Sequence, residues 1–211
     1  SPAGFGISTN PVSHDLVIYL EGGGACFNDA CDFTAFNVPF IPPPDGIFNR
    51  LNPTNPVRDW NMVYVPYCTG DIHGGDNDYT LAGKLRHFHG YANIGKYLPT
   101  WVATFPSVTR VLLTGISAGG FGAGLNAQQV AEAFGPGRQY VLVDDSGPPL
   151  SKAAIPPCLQ ATFRQVWGLD NTFLAACGGD CTHPDDFARD WIHHVAKTYS
   201  TAYAGVFSNT H

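Results

Sequence analysis

Four short runs of apolar, mostly β-branched residues constrain the fold of this chain more than any other feature of its sequence. Each run is bounded by glycine, proline or aspartate. Strands that are buried on both faces of a parallel sheet have this nearly continuous apolar pattern. The pattern predicts strands at LVIYL (16–20), MVYVPY (62–67), VLLTG (111–115) and YVLVDD (140–145).

Helix-like segments lie between the later strands. YANIGKYLPTWVATF (91–105) is one of them, and its Pro99 predicts a helix start or a kink. GAGLNAQQVAEAF (122–134) is the other, and the Gly-Pro pair that follows it predicts its end. Strands that alternate with helices favour an α/β fold with a mostly parallel sheet.

The rest of the chain divides into three kinds of segment. Residues 150–195 are predicted to form a helical insertion that cysteines tie down, and TAYAGVFSNTH (201–211) reads as one more strand and a turn. Residues 26–60 are rich in proline and asparagine, and PFIPPPDG (39–46) within them suits neither helix nor strand. Long irregular connections are commonly functional, so we expect this loop to wall a site. A length of 211 residues favours one domain, 1–211.

Charge and hydropathy exclude several classes of partner. The net charge is −6, and the 11 lysines and arginines form no cluster that could neutralise nucleic acid or anionic lipid headgroups. The sequence has no run of about 18 apolar residues, so we expect no membrane-spanning helix. Six cysteines with few lysines favour a secreted or periplasmic protein.

The cysteines indicate disulfides rather than metal. Cys26 and Cys31 can close a small loop, and Cys158, Cys177 and Cys181 can form a second cluster, although six cysteines allow 15 pairings. The alternative is zinc, because CGGDCTH (177–183) brings two cysteines and a histidine together. The usual two-residue spacer and a fourth ligand are missing there, which favours disulfides.

Histidines elsewhere raise a second metal hypothesis. His73 and the pair His87 and His89 could contact a metal, but the sequence shows no third ligand. Polarity of a loop at a pocket mouth, shared with Asp71, Asp76 and Asp78, is the preferred interpretation. We therefore expect neither a metal nor a cofactor.

The stretch GISAGGFGAG (115–124) has two competing interpretations. Gly122-x-Gly124-x-x-Ala127 follows a strand and precedes Asp144 by about twenty residues, as in a dinucleotide-binding fold. Its first glycine, however, stands seven residues after Gly115 rather than in the first tight turn, where pyrophosphate would bind. An oxidoreductase therefore remains the weaker alternative.

The same stretch fits a nucleophilic serine better. Gly115-Ile116-Ser117-Ala118-Gly119 is a G-x-S-x-G motif between a buried strand and a helix. The serine of such a turn is strained and needs small neighbours two residues away on each side. Ser117 is therefore the predicted nucleophile.

A nucleophilic serine also needs amide donors for the oxyanion that forms on its substrate. The N–H of Ala118 follows the serine and is one candidate. LVIYLEGGGACF (16–27) delivers three glycines after an earlier strand, where ester hydrolases place their second set of donors. Gly23 and Gly24 are the predicted donors of this loop.

Together these segments resemble the pectin acetylesterase and Notum carboxylesterase family. The pieces that carry the resemblance are LVIYLEGGGACF, VYVPYCTGD (63–71) and VLLTGISAGGFGAG, in the order in which the family has them. The resemblance implies an α/β-hydrolase-like three-layer sandwich that hydrolyses O-acyl esters outside the cytoplasm. Plant-type members carry tryptophan where Ala25 stands, which implies a more open wall here, so specificity for acetyl does not carry over.

The acid and the base of the triad are not found with the same clarity. The resemblance implies that both follow the nucleophile, at or beyond His211, so we expect a chain that is incomplete at its C-terminus or a second polypeptide that supplies Asp and His. The candidates within the chain are Asp144, beside Asp145, and His194, beside His193. Strand-end capping of a turn is the preferred interpretation of Asp144.

The sequence leads to one functional hypothesis and one rival from another class. The first is a secreted serine carboxylesterase that acts on an ester-bearing polysaccharide or on a polyester. The rival is a binding module that keeps the fold without a working triad.

Overall fold

The computed structural model describes residues 3–31, 44–148, 150–199 and 203–207. Six strands form one sheet, in the order β1-β3-β2-β6-β7-β8, and β4 pairs with β5 in a separate hairpin. Only β1 runs antiparallel to its neighbour in the six-stranded sheet. The strands are β1 (Gly6–Ser8), β2 (Asp15–Leu20), β3 (Asn61–Val65), β4 (Asn77–Leu81), β5 (Lys84–Phe88), β6 (Arg110–Ile116), β7 (Gln139–Asp145) and β8 (Tyr203–Phe207).

Five α-helices accompany these strands in the described part of the chain. They are α1 (Gly90–Thr104), α2 (Ala118–Phe134), α3 (Pro157–Trp167), α4 (Phe173–Cys177) and α5 (Phe187–Thr198). Short 3₁₀ turns lie at Gly46–Phe48, Leu169–Asn171 and Gly178–Asp180. None of the described helices is both long enough and apolar enough to cross a membrane.

The predicted strands and helices are confirmed, with differences at their ends. The four apolar runs form β2, β3, β6 and β7, which are neighbours at the centre of the sheet, and residues 203–207 form β8. Helix α1 continues through Pro99, and α2 begins at Ala118, four residues earlier than predicted. The glycines at the beginning of α2 make its first residue hard to predict from the sequence. They are tolerated in the helix because it packs closely against the sheet.

The central core lies between the sheet and helices α1 and α2. The side chains of Leu16, Ile18 and Leu20 in β2 are inaccessible to solvent. They pack with Trp101 of α1 and Val130 of α2. Fewer side chains are buried on the opposite face of the sheet. There Val17 and Met62 pack against Val57 and the neighbouring side chains of Ile47 and Phe48 from the irregular connection.

Helices α3–α5 form a second core with the hairpin and one side of α2. Trp167, Phe173 and Trp191 are fully buried in it. Cys177–Cys181 borders this core, and Cys26–Cys31 lies at its edge near α3. These two disulfides account for four cysteines and replace the zinc alternative at 177–183, while Cys68 and Cys158 are free.

The single domain over residues 1–211 and the interpretation of 150–195 as an insertion remain predictions. Part of the expected site wall, residues 32–43, lies outside the described residues, and so does His211.

Candidate active site

Ser117 occupies a strained turn between strand β6 and helix α2. Its φ is 55° and its ψ is −119°, a left-handed region that residues with a side chain rarely adopt. The Ser117 N–H donates a hydrogen bond to the carbonyl oxygen of Asp145 at 2.7 Å, and its own carbonyl accepts one from Phe121 at 3.1 Å. These bonds hold the strained backbone in place while the side chain stays exposed.

The two glycines of the G-x-S-x-G motif allow the backbones to approach closely. A Cβ atom on Gly119 would overlap the carbonyl group of Leu20, its carbon being only 2.7 Å away. A Cβ on Gly115 would meet the carbonyl oxygens of Leu20 and Gly119. Any larger residue at either position would therefore push α2 away from the end of β2.

The Glu21–Gly24 loop lies beside Ser117 because β2 and β6 are adjacent parallel strands. Their register pairs Leu20 with Gly115, so both chains leave the sheet at the same edge. A Cβ atom built on Gly22 would lie 3.3 Å from the Cβ of Ser117. The loop and the serine line one cavity of about 470 Å³.

The predicted oxyanion donors stand in different relations to this cavity. Gly23 lines it together with Ser117. Ala118 is the first residue of α2, so its N–H belongs to the group that has no acceptor within the helix. Gly24 is exposed and is not among the described residues that line the cavity. Its carbonyl accepts a hydrogen bond from the Tyr67 hydroxyl at 2.9 Å.

Hydrogen bonds from the segment after β3 hold this loop. The Glu21 carboxylate accepts from the Tyr67 N–H at 2.9 Å, and the Tyr67 hydroxyl accepts from the Ile72 N–H at 2.7 Å. His73 Nε2 lies 2.8 Å from the Glu21 carbonyl oxygen. A carbonyl can only accept, so Nε2 carries the proton in this contact.

Burial corrects the interpretation of Asp71 and His73 as polar groups at a pocket mouth. Asp71 is fully inaccessible, and its carboxylate accepts hydrogen bonds from the backbone of His73, Gly75 and Gly90. Burial lowers the pKa of His73 to about 4, so the ring is neutral near pH 7. Both residues support the loop beneath the cavity, which sequence spacing alone does not reveal.

The rim of the cavity combines aromatic rings with carboxylates. Tyr19, Tyr64 and Phe48 form an aromatic cluster with ring centroids 4.8–6.1 Å apart. Burial, and then a hydrogen bond to Glu21, raise the pKa of Tyr64. Burial also raises the pKa of Tyr19, so both phenols are neutral donors. The carboxylates that line the cavity are Glu21, Asp45 and Asp145.

The structure does not bring the candidate base to the serine. His194 is buried in α5, with Nδ1 at 3.0 Å from Asp180 and Nε2 at 2.9 Å from Gln128. Gln128 stands eleven residues after Ser117, about 16 Å along a helix that rises 1.5 Å per residue. Neighbouring His193 is exposed on α5.

The candidate acid is close to the serine turn but is engaged there. Asp144 Oδ1 accepts a hydrogen bond from the Gly147 N–H at 2.9 Å, which is the strand-end capping contact favoured by the sequence. Its Oδ2 is buried and has no hydrogen-bond partner in the described structure. Burial raises the pKa of Asp144 to about 6. Asp145, rather than Asp144, lines the cavity with Ser117.

The dinucleotide-binding interpretation is inconsistent with the position of its glycines. Gly122 and Gly124 lie inside α2, past its first turn, where their N–H groups belong to the helix. A Cβ on Gly122 would lie 2.9 Å from the His73 side chain, so this glycine provides room for the buried histidine.

Comparisons with known proteins bear on the family and the fold of this chain. Residues 1–183 match the sequence model of the family described as Pectinacetylesterase. A palmitoleoyl-protein carboxylesterase, notum1a of Danio rerio, is 31% identical over 150 residues, which are 63% of this chain and 29% of that protein. Notum1' of Xenopus laevis is 28% identical over 198 residues, or 84% of this chain and 37% of that protein. The chain thus spans about a third of the length of these relatives.

A solved structure supports the fold. The crystal structure described as the Wnt deacylase Notum from Drosophila superposes with a TM-score of 0.73 at 20% identity. The match covers 99% of this chain and 66% of that one, and it confirms the predicted α/β-hydrolase-like fold. With most of its length matched by one family, this chain belongs to the pectinacetylesterase family.

Proposed function

We propose that this chain carries the nucleophile and the oxyanion hole of a carboxylic-ester hydrolase. Ser117 attacks the acyl carbonyl, and the amides of Gly23, Gly24 and Ala118 stabilise the resulting oxyanion. The alcohol leaves, and water then releases the acyl group from the serine. Oxyanion donors of this kind typically contribute about 3–4 kcal/mol each to the transition state.

The positive φ of Ser117 is the observation that carries the proposal. Such strain persists only where the surroundings impose it, and it clusters at functional sites. Here it coincides with an exposed serine that stands directly before α2 and lines one cavity with the glycine loop. A glycine-rich surface loop would need none of these features together.

The acid and the base are proposed to come from residues outside the described ranges, or from a second polypeptide. His194 supports this because both of its ring nitrogens already have partners. Among the other described histidines after Ser117, His183 bonds to Asp190 at 3.0 Å. A triad depends on a base within hydrogen-bond reach of the serine.

The charge of the cavity favours an uncharged substrate. Glu21, Asp45 and Asp145 repel an anionic ester, whereas the rings of Tyr19 and Phe48 can pack against a sugar or an aromatic ring. We therefore propose neutral polysaccharide esters or polyesters as substrates. The palmitoleoyl-protein carboxylesterases among the relatives make acyl length the first specificity to measure, with p-nitrophenyl esters of increasing chain length. The two disulfides support a secreted or periplasmic location.

Covalent labelling tests the nucleophile directly. The intact protein is treated with a fluorophosphonate, and the modified peptide is identified by mass spectrometry. We expect one adduct per chain, at Ser117, and none in Ser117→Ala. Ser146→Ala is the matched control, because Ser146 is also exposed, follows a strand and has a positive φ of 61°. Labelling of that variant should be unchanged.

The same experiment separates the two classes of function. An adduct that persists in Ser117→Ala would refute the role of Ser117. A protein that takes no label even when the segment or polypeptide supplying the acid and base is present would favour the binding module, which keeps the fold without a reactive serine.

A further inference from the structure

The hairpin formed by β4 and β5 brings together metal-binding side chains that lie apart in the sequence. Its register pairs Asp78 with His87 across the two strands. His89 lies two residues beyond His87, just before α1 begins. One potential ligand atom from each of these residues lies within 4.8 Å of the others. The sequence showed no third ligand for the two histidines, because Asp78 reaches them only through strand pairing.

The distances are close to those of a coordination sphere. The Asp78 carboxylate oxygen Oδ1 is 2.6 Å from His87 Nδ1 and 3.0 Å from His89 Nε2. In a tetrahedral zinc site with bonds of about 2.0–2.1 Å, ligand atoms stand about 3.3 Å apart. Small side-chain rotations would therefore open the cluster enough to hold an ion.

A second carboxylate orients one of the histidines. Asp76 Oδ1 lies 2.7 Å from His89 Nδ1, on the side of the ring opposite the Asp78 contact. A histidine that binds a metal through one nitrogen commonly donates its other N–H to a carboxylate, which fixes the tautomer. Because a carboxylate only accepts, Nε2 also donates, to Asp78, and a bound ion would replace that proton while Asp76 keeps accepting from Nδ1.

The cluster is open to ions and to water. The side chains of His87, His89 and Asp78 are 65%, 36% and 50% exposed, so an ion can reach them without unfolding. His87, His89 and Asp76 also line a cavity of about 540 Å³, which lies apart from the Ser117 cavity. Imidazole ligands suit zinc, copper or nickel, whereas magnesium and calcium prefer oxygen.

We propose that Asp78, His87 and His89 form a binding site for a divalent transition-metal ion of the Zn²⁺ class, with Asp76 as the orienting partner of His89. The ion would link Asp78 and His87, near the open end of the hairpin, to His89 at the start of α1. Water could complete the coordination of the ion, because all three ligand side chains are partly exposed.

Calorimetric titration of Zn²⁺ into the chelator-treated intact protein tests the site. We expect one ion per chain. His87→Gln, His89→Gln and Asp78→Asn should each weaken binding at least about tenfold, and Asp76→Asn should weaken it by about 10–100-fold, as loss of an orienting partner does. Mg²⁺ should not compete.

Two variants serve as matched controls. His183 also pairs with a carboxylate, at 3.0 Å, but in the described structure it belongs to no three-ligand group. His183→Gln should therefore keep the affinity of the wild type, and so should Cys158→Ser, which removes an exposed thiol. Absence of stoichiometric binding, full binding in His89→Gln, or loss of binding in His183→Gln would each overturn the proposal.

A measurement on the wild-type protein keeps the test independent of how the variants fold. Diethyl pyrocarbonate modifies exposed histidines, and peptide mapping locates the products. Zn²⁺ should protect His87 and His89 while His183 stays reactive. Equal modification of His87 and His89 with and without Zn²⁺ would refute the site.

Discussion

The turn at Ser117 and the buried His194, which pairs with the exposed Asp180, both adjoin helix α2, but they differ in what their side chains can do. At Ser117 the backbone is strained, and the exposed residue lines a cavity. At His194 the side chain is buried, and both ring nitrogens are bonded to Asp180 and Gln128. Of the two, only Ser117 lines a cavity with its polar side chain uncommitted to a buried hydrogen-bonded pair.

This difference shows that residue types alone do not make a catalytic site. A histidine beside an aspartate has the composition of a catalytic dyad, and His194 with Asp180 meets that description. Its location is wrong, because Gln128 places it about 16 Å along α2 from the serine. Ser117 instead stands at the carboxyl edge of a parallel sheet, where loops from neighbouring strands converge.

The largest expected effect is a difference in kcat between variants of Ser117 and His194. Ser117→Ala should lower kcat of the intact protein on p-nitrophenyl acetate by about 10⁴-fold or more, because the nucleophile is lost. His194→Gln should change kcat by less than about threefold, since the proposed chemistry does not involve it. Comparable losses in the two variants would contradict the distinction between the regions.

A pair of glycines in α2 tests how the Ser117 turn is built. Gly119→Ala should lower the free energy of unfolding by about 3 kcal/mol, because its Cβ overlaps the Leu20 carbonyl. Gly124→Ala, in the same helix, meets no atom within 4 Å and should raise that free energy by about 0.5–1 kcal/mol. Denaturant unfolding measures both, and equal effects would mean that the close approach at Gly119 is not a constraint.

The buried His73, which bonds to the Glu21–Gly24 loop beside Ser117, predicts that stability depends on pH. Burial lowers the pKa of His73 to about 4, below its ordinary value of 6.5, so the unfolded chain binds the proton more readily. Stability should therefore fall as the pH drops from about 6.5 to about 4, with a slope of at most about 1.4 kcal/mol per pH unit from this group.

The variant His73→Gln isolates this contribution. Its amide can still donate to the Glu21 carbonyl, but it does not titrate. The loss of thermal stability between pH 7 and pH 5 should be smaller than in the wild type, as differential scanning calorimetry would record. An equal loss in both proteins would show that His73 does not titrate as its burial implies.

The smallest expected effect concerns Asp144, the buried carboxylate at the end of β7. Asp144→Asn should leave kcat within about threefold, because Asp144 caps a turn; a loss of about 10⁴-fold would instead identify it as the acid. Burial raises the pKa of Asp144 to about 6, so ionisation weakens the fold as the pH rises through that value. The variant should gain about 2–4 °C in melting temperature, relative to the wild type, between pH 4 and pH 7.

Local patterns predicted the centre of the molecule well. Strands β2, β3 and β6 are largely buried and β7 is partly buried, so their sequences are mostly apolar and can be recognised without their partners. The hairpin of β4 and β5 has the mixed composition of a partly exposed element, NDYTL and KLRHF, and it was missed. Its strands are stabilised by pairing with each other, which no single segment reveals.

The sequence by itself determined the parallel sheet, the serine turn and the glycine loop, because each depends on residues that are adjacent along the chain and on sterics that act locally. Only the tertiary structure decided which polar side chains are free to act. In it, Asp71 and His73 are buried and support the Glu21–Gly24 loop. His194 forms hydrogen bonds far from the serine, and Asp78 lies against two histidines. The physical reason is that packing between elements sets the solvent access of a side chain, its desolvation and its distance from possible partners. These quantities cannot be deduced from the spacing of residues along the chain.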